Sequence, residues 1–197
     1  PIVADMDEDG DLEIVLGYNI SATSYAAAAN HDGTVLSGYP MVIASGSQLF
    51  YLGMGDVTGD GQAEIIAVDN QLSSDYRLWV YNTSSGTPVS GWPVAVANWP
   101  KGFPVVADLD NDGIQDISFS TDGGTVHALD GNGTELSGFP KTMGAASTSG
   151  TAVGDIDGDG LYELVAATWD GWVYAWDTTG MVDDNNRDWP MRGVDPW

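Results

Sequence analysis

The 197-residue sequence contains no cysteine, only two histidines and only five lysine and arginine residues. The absence of cysteine excludes disulfide bonds, thiolate zinc sites and cysteine nucleophiles. Because the few basic residues stand against 29 aspartates and glutamates, the formal net charge is −24. A basic patch for nucleic acid or for an anionic membrane surface is therefore not expected. Cations are the natural partners of such a chain.

The sequence also lacks the run of about 18 apolar residues that indicates a membrane-spanning helix, so no membrane insertion is expected. Its hydrophobic content of 43% is that of a globular protein. Residues 1–5 have the pattern of a strand that enters a loop, so any export signal is expected to lie upstream of them. No stretch keeps a 3.6-residue apolar period, and this predicts a fold without helices.

An acidic motif recurs four times along the chain. It has the form Asp-x-Asp-x-Asp-Gly-x-x-Asp/Glu, and its copies begin 51, 52 and 47 residues apart, at Asp5, Asp56, Asp108 and Asp155. A second marker, glycine-aromatic-proline, keeps the same phase at residues 38–40, 91–93 and 138–140, with Asp-Trp-Pro at 188–190. Two independent markers in one phase indicate four copies of one structural unit.

Each unit contains four short runs of apolar, β-branched and aromatic residues between Gly, Asn and Asp turns, which predicts four strands per unit. Four-stranded units repeated at this length are typical of a β-propeller, in which radial stacking buries the faces of each small sheet. We therefore predict an all-β fold of four four-stranded blades, at about residues 1–46, 47–98, 99–146 and 147–197. The recurrent proline is expected at the outermost strand, where a backbone donor can be lost.

The acidic motif has the composition of a calcium site. Ca²⁺ takes six to eight oxygen ligands at roughly 2.3–2.6 Å, and carboxylates at positions one, three and five of a tight loop can converge on one ion. Glycine at position six permits the turn, while a backbone carbonyl at position seven and the acid at position nine complete the shell. The predicted ligands of up to four Ca²⁺ ions are Asp5, Asp7, Asp9, Asp11, Glu13, Asp56, Thr58, Asp60, Gln62, Glu64, Asp108, Asp110, Asp112, Ile114, Asp116, Asp155, Asp157, Asp159, Leu161 and Glu163.

Two comparisons refine this prediction. The acid at position nine is followed at once by a β-like run, whereas the closing glutamate of an EF-hand is at position twelve. Ordinary solvated turns are the alternative, since Asp and Gly are frequent in turns, but four copies in register favour metal sites. Thr58 replaces the middle aspartate of the second loop, so we predict the weakest site there. Four Ca²⁺ ions, with eight positive charges, would reduce the formal charge from −24 to −16.

These residues resemble the FG-GAP/VCBS repeat family, the calcium-loop propeller repeat also found in the head of integrin α subunits, over nearly the whole chain. The end of the chain, from Gly171 to Met191, is similar to the last blade of such propellers in secreted bacterial and archaeal proteins, where they are often appended to a protease or other hydrolase. The resemblance implies that each loop joins the first and second strands of a blade and that its metal is structural.

The same resemblance implies a propeller of seven or eight blades. We therefore predict that these four are the C-terminal blades of a larger propeller whose remainder lies outside this sequence or in another copy. The alternative is that four blades close by themselves.

The leading functional hypothesis is a calcium-stabilised extracellular binding or adhesion module for a carbohydrate or protein ligand, since such sites fill where calcium is millimolar. Ligand binding is expected at the end of the blades opposite the metal loops, with both lysines on crossings between blades. Exposed Trp and Tyr could stack on sugar rings or anchor a protein, although aromatics are also the usual fillers between blades. The candidates are Trp99, Lys101, Lys141, Trp169 and Trp172, together with Tyr18, Tyr25 and Tyr76.

Two further hypotheses are an architectural, self-assembling surface protein and part of a polysaccharide-degrading enzyme. A partial propeller has exposed blade edges, which favour pairing with another copy. We expect no enzymatic activity, because His31 lies in a turn and His127 within an apolar strand. The sequence also lacks a nucleophile elbow, a phosphate-binding glycine loop and a histidine-rich metal motif.

Overall fold

The structure, a computed structural model, describes residues 1–6, 10–71, 75–147 and 149–182. Over these residues the chain forms fifteen β-strands in four antiparallel sheets, and no helix occurs. Consequently none of the described segments is a helix long and apolar enough to cross a membrane. The predicted all-β class is confirmed.

Consecutive strands are hydrogen-bonded neighbours in every sheet, so each sheet is a simple meander. Sheet one contains β1 (Ile2–Ala4), β2 (Glu13–Ile20), β3 (Thr23–Ala29) and β4 (Met41–Ser45). Sheet two contains β5 (Ser47–Gly55), β6 (Glu64–Gln71), β7 (Asp75–Tyr81) and β8 (Val94–Val96). Sheet three contains β9 (Pro100–Ala107), β10 (Asp116–Thr121), β11 (Thr125–Leu129) and β12 (Lys141–Thr142). Sheet four contains β13 (Ala152–Gly154), β14 (Leu161–Ala167) and β15 (Val173–Met181).

The recurrent proline marks the start of the fourth strand. Pro40, Pro93 and Pro140 stand directly before β4, β8 and β12, so none of them removes a donor from an inner strand. The predicted fourth strand of the last unit, at residues 188–190, lies outside the described residues.

The sheets pack face to face in chain order, and a separate apolar cluster fills each of the three junctions. Val15 of sheet one packs in the same cluster as Ile65 of sheet two. Leu78 of sheet two and Phe119 of sheet three share the second cluster, and Val126 and Leu164 share the third. Each of these side chains is at most 1% exposed, and full burial of such a side chain is worth about 1.5–3 kcal/mol.

The meander separates the connections of every sheet into two groups. The connections between first and second strands, and between third and fourth strands, lie at one end of each sheet, which we call the acidic-loop end. The turns between second and third strands and the crossings to the next sheet lie at the opposite end. One contact between sheets joins two connections of the acidic-loop end. The Trp92 indole N–H donates to the Gly131 carbonyl (2.9 Å), and both residues lie between the third and fourth strands of their sheets.

Candidate metal centres

The four acidic loops occupy the same place in the fold, between the first and second strands of each sheet. A left-handed backbone occurs at the sixth position of all four loops and at the fourth position of the second, third and fourth loops. The sixth residue is always glycine, with φ between 88° and 92°. The fourth residue has φ 72° at Gly59, 64° at Asn111 and 82° at Gly158. Glycine and asparagine are the residues that tolerate this region. The glycines of the motif are therefore required by the backbone conformation, whereas its acids supply the predicted ligands.

The first aspartate of each loop orders the loop backbone. In the third loop Asp108 Oδ1 accepts from the Asn111 N–H (2.7 Å), and Oδ2 accepts from the Gly113 N–H (2.9 Å). Asp56 accepts in the same way from the N–H groups of residues 59 and 61, and Asp155 from those of 158 and 160. This arrangement is that of an Asx turn extended over six residues.

The acid at position nine closes each loop. It accepts a hydrogen bond from the backbone N–H at position two, at 2.8, 3.2, 2.8 and 2.7 Å in loops one to four. These carboxylates are almost fully buried, with 1%, 0%, 3% and 3% exposure for Glu13, Glu64, Asp116 and Glu163. In the described part of the chain no lysine or arginine forms an ion pair with any of them. Buried carboxylates without a cationic partner need either a proton or a metal ion.

The third and fourth loops each bring three carboxylates together. One oxygen each from Asp108, Asp110 and Asp116 lie within 4.8 Å of one another, and the same holds for the equivalent residues Asp155, Asp157 and Glu163. Such a set could hold a metal ion. The fifth-position aspartates lie outside these two clusters, and they accept from the N–H at position seven instead: Asp112 from Ile114 and Asp159 from Leu161, both at 2.8 Å.

The first and second loops carry buried oxygens that lack a hydrogen-bond partner: Asp5 Oδ1, Thr58 Oγ1 and Glu64 Oε1. A buried oxygen without a donor is costly, and a bound cation is one of the explanations for it. Because every polar side chain in the four predicted ligand sets contributes oxygen, the residues fit a hard cation such as Ca²⁺ or Mg²⁺. Asp7 and Asp9 lie outside the described residues.

Burial and mutual repulsion raise the pKa values of several loop acids. Burial, together with the charges of Asp60 and Asp56, raises the pKa of Glu64 to about 7. Burial, together with three neighbouring aspartates, raises the pKa of Asp116 to about 8. The pKa of Asp110 is raised by burial and by Asp112. At neutral pH a cation would therefore compete with protons for these sites.

The position-seven residues are Asp11, Gln62, Ile114 and Leu161, and the use of their backbone carbonyls as ligands stays a prediction. The side chain of Asp11 is exposed and lies 3.4 Å from His31 Nδ1. β2, β6 and β10 begin at the acid of position nine, whereas β14 begins two residues earlier, at Leu161.

Comparison with known proteins identifies the repeat. The FG-GAP-like repeat matches residues 56–119 and 108–166, a span that includes the second, third and fourth loops. The chain belongs to the FG-GAP-like repeat family. No protein with a curated description matches the sequence.

Two solved structures share the fold of these FG-GAP-like repeats. The biofilm matrix protein Bap1 of V. cholerae is similar over 91% of the chain, with a TM-score of 0.62 and 23% identity. BBS1N, crystallised in complex with ARL6DN, is similar over 97% of the chain, with a TM-score of 0.58 and 11% identity. The chain spans 27% of the length of the first and 53% of the second.

At the opposite end of the FG-GAP-like repeats, three of the predicted ligand-binding side chains form a stack. The Trp99 ring is parallel to the Tyr76 ring, with centroids 6.3 Å apart, and Lys101 Nζ lies 3.4 Å from the Trp99 ring centroid. The Trp99 backbone N–H donates to Asp122 Oδ1 (2.9 Å), which ties this crossing to the neighbouring turn. Sequence spacing could not predict the stack, because its members come from different sheets.

The other candidates are dispersed. Trp169 and Trp172 flank the turn between β14 and β15 and are 77% and 66% exposed. The prediction that both lysines lie on crossings is wrong, because Lys101 is within β9 and Lys141 within β12, at the two edges of sheet three. Tyr18 and Tyr25 stack on each other, with centroids 5.2 Å apart, on the outer side of sheet one.

Sequence analysis also missed how His127 is held. Its Nε2 lies 3.0 Å from Thr125 Oγ1, its Nδ1 lies 3.0 Å from Glu135 Oε2, and its ring stacks on Phe119. Because side chains alternate along a strand, residues 125 and 127 lie on one face, and this pattern could have predicted their contact. Similarly, the fully buried Asp69 accepts from the Trp79 indole N–H (2.7 Å), and no local pattern marks this pair.

Proposed function

We propose that this protein is an extracellular β-propeller segment that is stabilised by calcium and acts as a binding or adhesion module for a carbohydrate or protein ligand. The observation that carries the proposal is the acidic loop, which recurs four times and in every copy has the hydrogen bond from the position-two N–H to the acid at position nine. In every described sheet the loop is closed by a buried carboxylate that has no lysine or arginine partner, and such a carboxylate favours a bound cation.

The propeller architecture is supported by the packing of the sheets. Successive sheets pack face to face in chain order, and β10 of sheet three is buried along its whole length. A strand that is buried on both faces belongs to a sheet enclosed between two others, as in the blades of a propeller. From here on we call the four sheets blades.

Calcium is the favoured cation because the predicted ligands are hard oxygen donors in a loop that can supply more than four of them. The proposed role of the ion is structural, since the loop holds its own strands together. Calcium modules outside the cell bind with Kd values of about 10⁻⁴–10⁻³ M, which suits the extracellular setting that the likeness to a biofilm matrix protein supports.

The binding role is supported by the aromatic side chains at the opposite end. The faces of Trp169 and Trp172 are accessible, and the stack of Tyr76, Trp99 and Lys101 offers a flat aromatic group beside a positive charge. Flat aromatic faces bind sugar rings and anchor protein partners. We propose no catalytic activity.

The first experiment measures thermal unfolding with about 5 mM CaCl₂ and with excess EDTA, together with metal content by mass spectrometry. Each site with a Kd near 10⁻³ M would add about 1 kcal/mol by mass action. Three to four ions would then raise the Tm by about 10 °C. Fewer than two ions per chain and no shift would show that the loops are plain turns.

The ligand-binding part is tested separately by glycan-array binding of the calcium-loaded protein. Trp169→Ala and Trp172→Ala are expected to abolish binding, and Val35→Ala is the matched control, since Val35 is also exposed (63%) but lies at the acidic-loop end. If ligand binding were unchanged in both tryptophan variants, the ligand site would not lie at this turn.

A further inference from the structure

Two of the three junctions between blades are closed at the acidic-loop end by glycine. In the second junction, Gly131 of blade three lies against the acidic loop of blade two, and a Cβ at this glycine would lie 1.7 Å from the Val57 carbonyl oxygen. In the third junction, the Gly180 N–H donates to the Leu109 carbonyl (3.0 Å). Val57 and Leu109 are both at position two of their loops. A side chain at either glycine would collide with the loop backbone, so glycine is what permits these close approaches.

The first junction is open at the same place. Thr83 stands two residues after β7, as Gly131 stands two residues after β11, and its side chain prevents an equally close approach to the loop of blade one. A cleft of about 410 Å³ lies here, between Met6 at position two of the first loop and the turn of blade two that contains Thr83 and Ser84. This volume is within the range of about 300–1,000 Å³ that is typical of small-molecule sites.

None of the described residues that line the cleft is charged. The lining combines two apolar side chains with five neutral polar ones: Met6 and Leu36, and Asn30, Ser37, Gln62, Thr83 and Ser84. Such a lining contrasts with the acidic loops that flank it, in a chain with 29 acids. A charged ligand would lose water here without gaining a counter-charge from the lining, so the cleft favours an uncharged ligand.

The polar groups of the lining can both donate and accept hydrogen bonds. Ser37, Gln62 and Ser84 are exposed, so a ligand can reach their hydroxyl and amide groups. The side-chain amide of Asn30 donates one N–H to Thr34 Oγ1 (2.9 Å), which leaves its second N–H for a ligand. Sugar hydroxyls also donate and accept, and the C–H groups of a sugar ring can pack on an apolar floor. The lining therefore matches a neutral, polyhydroxylated ligand.

The walls of the cleft are held in place within and between the two blades. Thr83 Oγ1 donates to the Ala63 carbonyl (2.9 Å) inside blade two. The Tyr39 hydroxyl of blade one donates to the Thr83 carbonyl (3.4 Å), and this bond connects the two blades at the cleft. Met6 and Thr83 are only 5% and 8% exposed, so they form the floor. A site that is formed before its ligand arrives loses less free energy on binding.

We propose that this cleft is a second ligand site, which binds an uncharged saccharide unit at the acidic-loop end of blades one and two. It lies at the end opposite to Trp169 and Trp172, so it is separate from the binding site of the proposed function. The inference depends on the packing of blades one and two. It needs neither the calcium assignment nor the aromatic side chains of the opposite end.

Titration followed by ¹H–¹⁵N NMR of the calcium-loaded chain tests the site. The neutral probes are glucose, galactose, mannose and N-acetylglucosamine, and glucuronate is the charged counterpart. Each probe is added to about 20 mM, because a single sugar is expected to bind with a Kd of about 1 mM. The readout is the side-chain amide signal of Gln62 and the backbone signal of Ser84, both in the cleft. The indole signals of Trp169 and Trp172 report separately on the opposite end.

Two variants and a matched control locate the binding. Ser37→Phe fills the cleft with a large side chain, and Gln62→Leu removes an amide at nearly constant size. Ser137→Phe is the control, because Ser137 is the exposed repeat equivalent of Ser37 in blade three and lies outside the cleft. Thermal unfolding of each variant, with calcium and with EDTA, shows that it is folded.

At least one neutral sugar is expected to shift the cleft signals of the native chain and of Ser137→Phe with the same Kd. Ser37→Phe should abolish the shifts, and Gln62→Leu should weaken binding, followed at Ser84, by more than about fivefold. Glucuronate should bind at least about tenfold more weakly than the neutral sugar. The proposal is overturned if no neutral sugar shifts the cleft signals, if binding survives both cleft variants, or if glucuronate binds equally well.

The two ends of the blades give separate results. Sugar-induced shifts of the indole signals without shifts in the cleft would retain the binding site of the proposed function and reject the cleft. Shifts in the cleft alone would retain the second site and reject the tryptophan turn as a site for these sugars.

Discussion

The backbone N–H of Leu109 donates a 2.8 Å hydrogen bond to the buried carboxylate of Asp116, and this bond joins the second position of the third acidic loop to the ninth. The same bond occurs in all four loops. It leaves the second oxygen of each carboxylate available to a proton or to a cation.

The stability of the calcium-free protein is expected to fall as pH rises from about 4 to about 8. In the folded state burial raises the pKa of Asp116 from 3.8 to about 8, and that of Glu64 from 4.5 to about 7. Between these values the unfolded chain loses its protons while the folded protein keeps them, so ionisation favours unfolding. Tm measured in EDTA across this range checks the prediction, and the Tm difference between calcium and EDTA should widen with pH.

Asp116→Asn is the control for this pH dependence. The amide cannot ionise, so the Tm in EDTA should fall less steeply with pH than in the native chain. If the Tm in EDTA falls with pH as steeply as in the native chain, the pH effect comes from the overall negative charge and not from Asp116.

Thr58→Asp is expected to strengthen the second site. The substitution restores the aspartate that the third and fourth loops have at position three, and affinity rises with the number of charged ligands. Calorimetric titration should show one site tightening by about tenfold, and Asp110→Thr should weaken the third site by a similar factor. An unchanged titration for both variants would mean that position three does not contact the ion.

Asp157→Asn should affect stability in opposite directions with and without metal. With calcium it removes a charged ligand of the fourth loop and should lower the Tm by several degrees. In EDTA it removes repulsion within the cluster of Asp155, Asp157 and Glu163, so the Tm should stay equal or rise. Asp170→Asn, in an exposed turn outside the loops, should change neither value. A loss of stability in EDTA would assign Asp157 a purely structural role.

Phe119→Ala should be far more destabilising than Leu16→Ala, although both residues occupy the same position of the repeat. Phe119 is 1% exposed, and its truncation should cost about 3–5 kcal/mol by chemical denaturation. Leu16 is 40% exposed, so its truncation should cost less than about 1 kcal/mol in the monomer. Equal costs at low protein concentration would show that Leu16 is covered within a single chain.

The acidic loops could be predicted from sequence because their interactions are local. The first aspartate, the sixth glycine and the ninth acid lie within nine residues, so spacing alone determines which groups meet. The stack of Tyr76, Trp99 and Lys101 could not be predicted in this way, since it joins residues of two sheets. The same limit explains the error for Lys141, whose strand position depends on how a two-residue edge strand pairs.

The sequence by itself determined the repeat, the all-β class, the family and the place of the acidic loops, because each follows from residue spacing and from the backbone conformations that glycine permits. Only the tertiary structure decided the environment of each face. Ile14, Ile65 and Ile117 are the same residue at the same repeat position, yet the first is 45% exposed and the other two are fully buried. The difference is physical: burial of a sheet face depends on the neighbouring sheet and not on the strand that carries the residue.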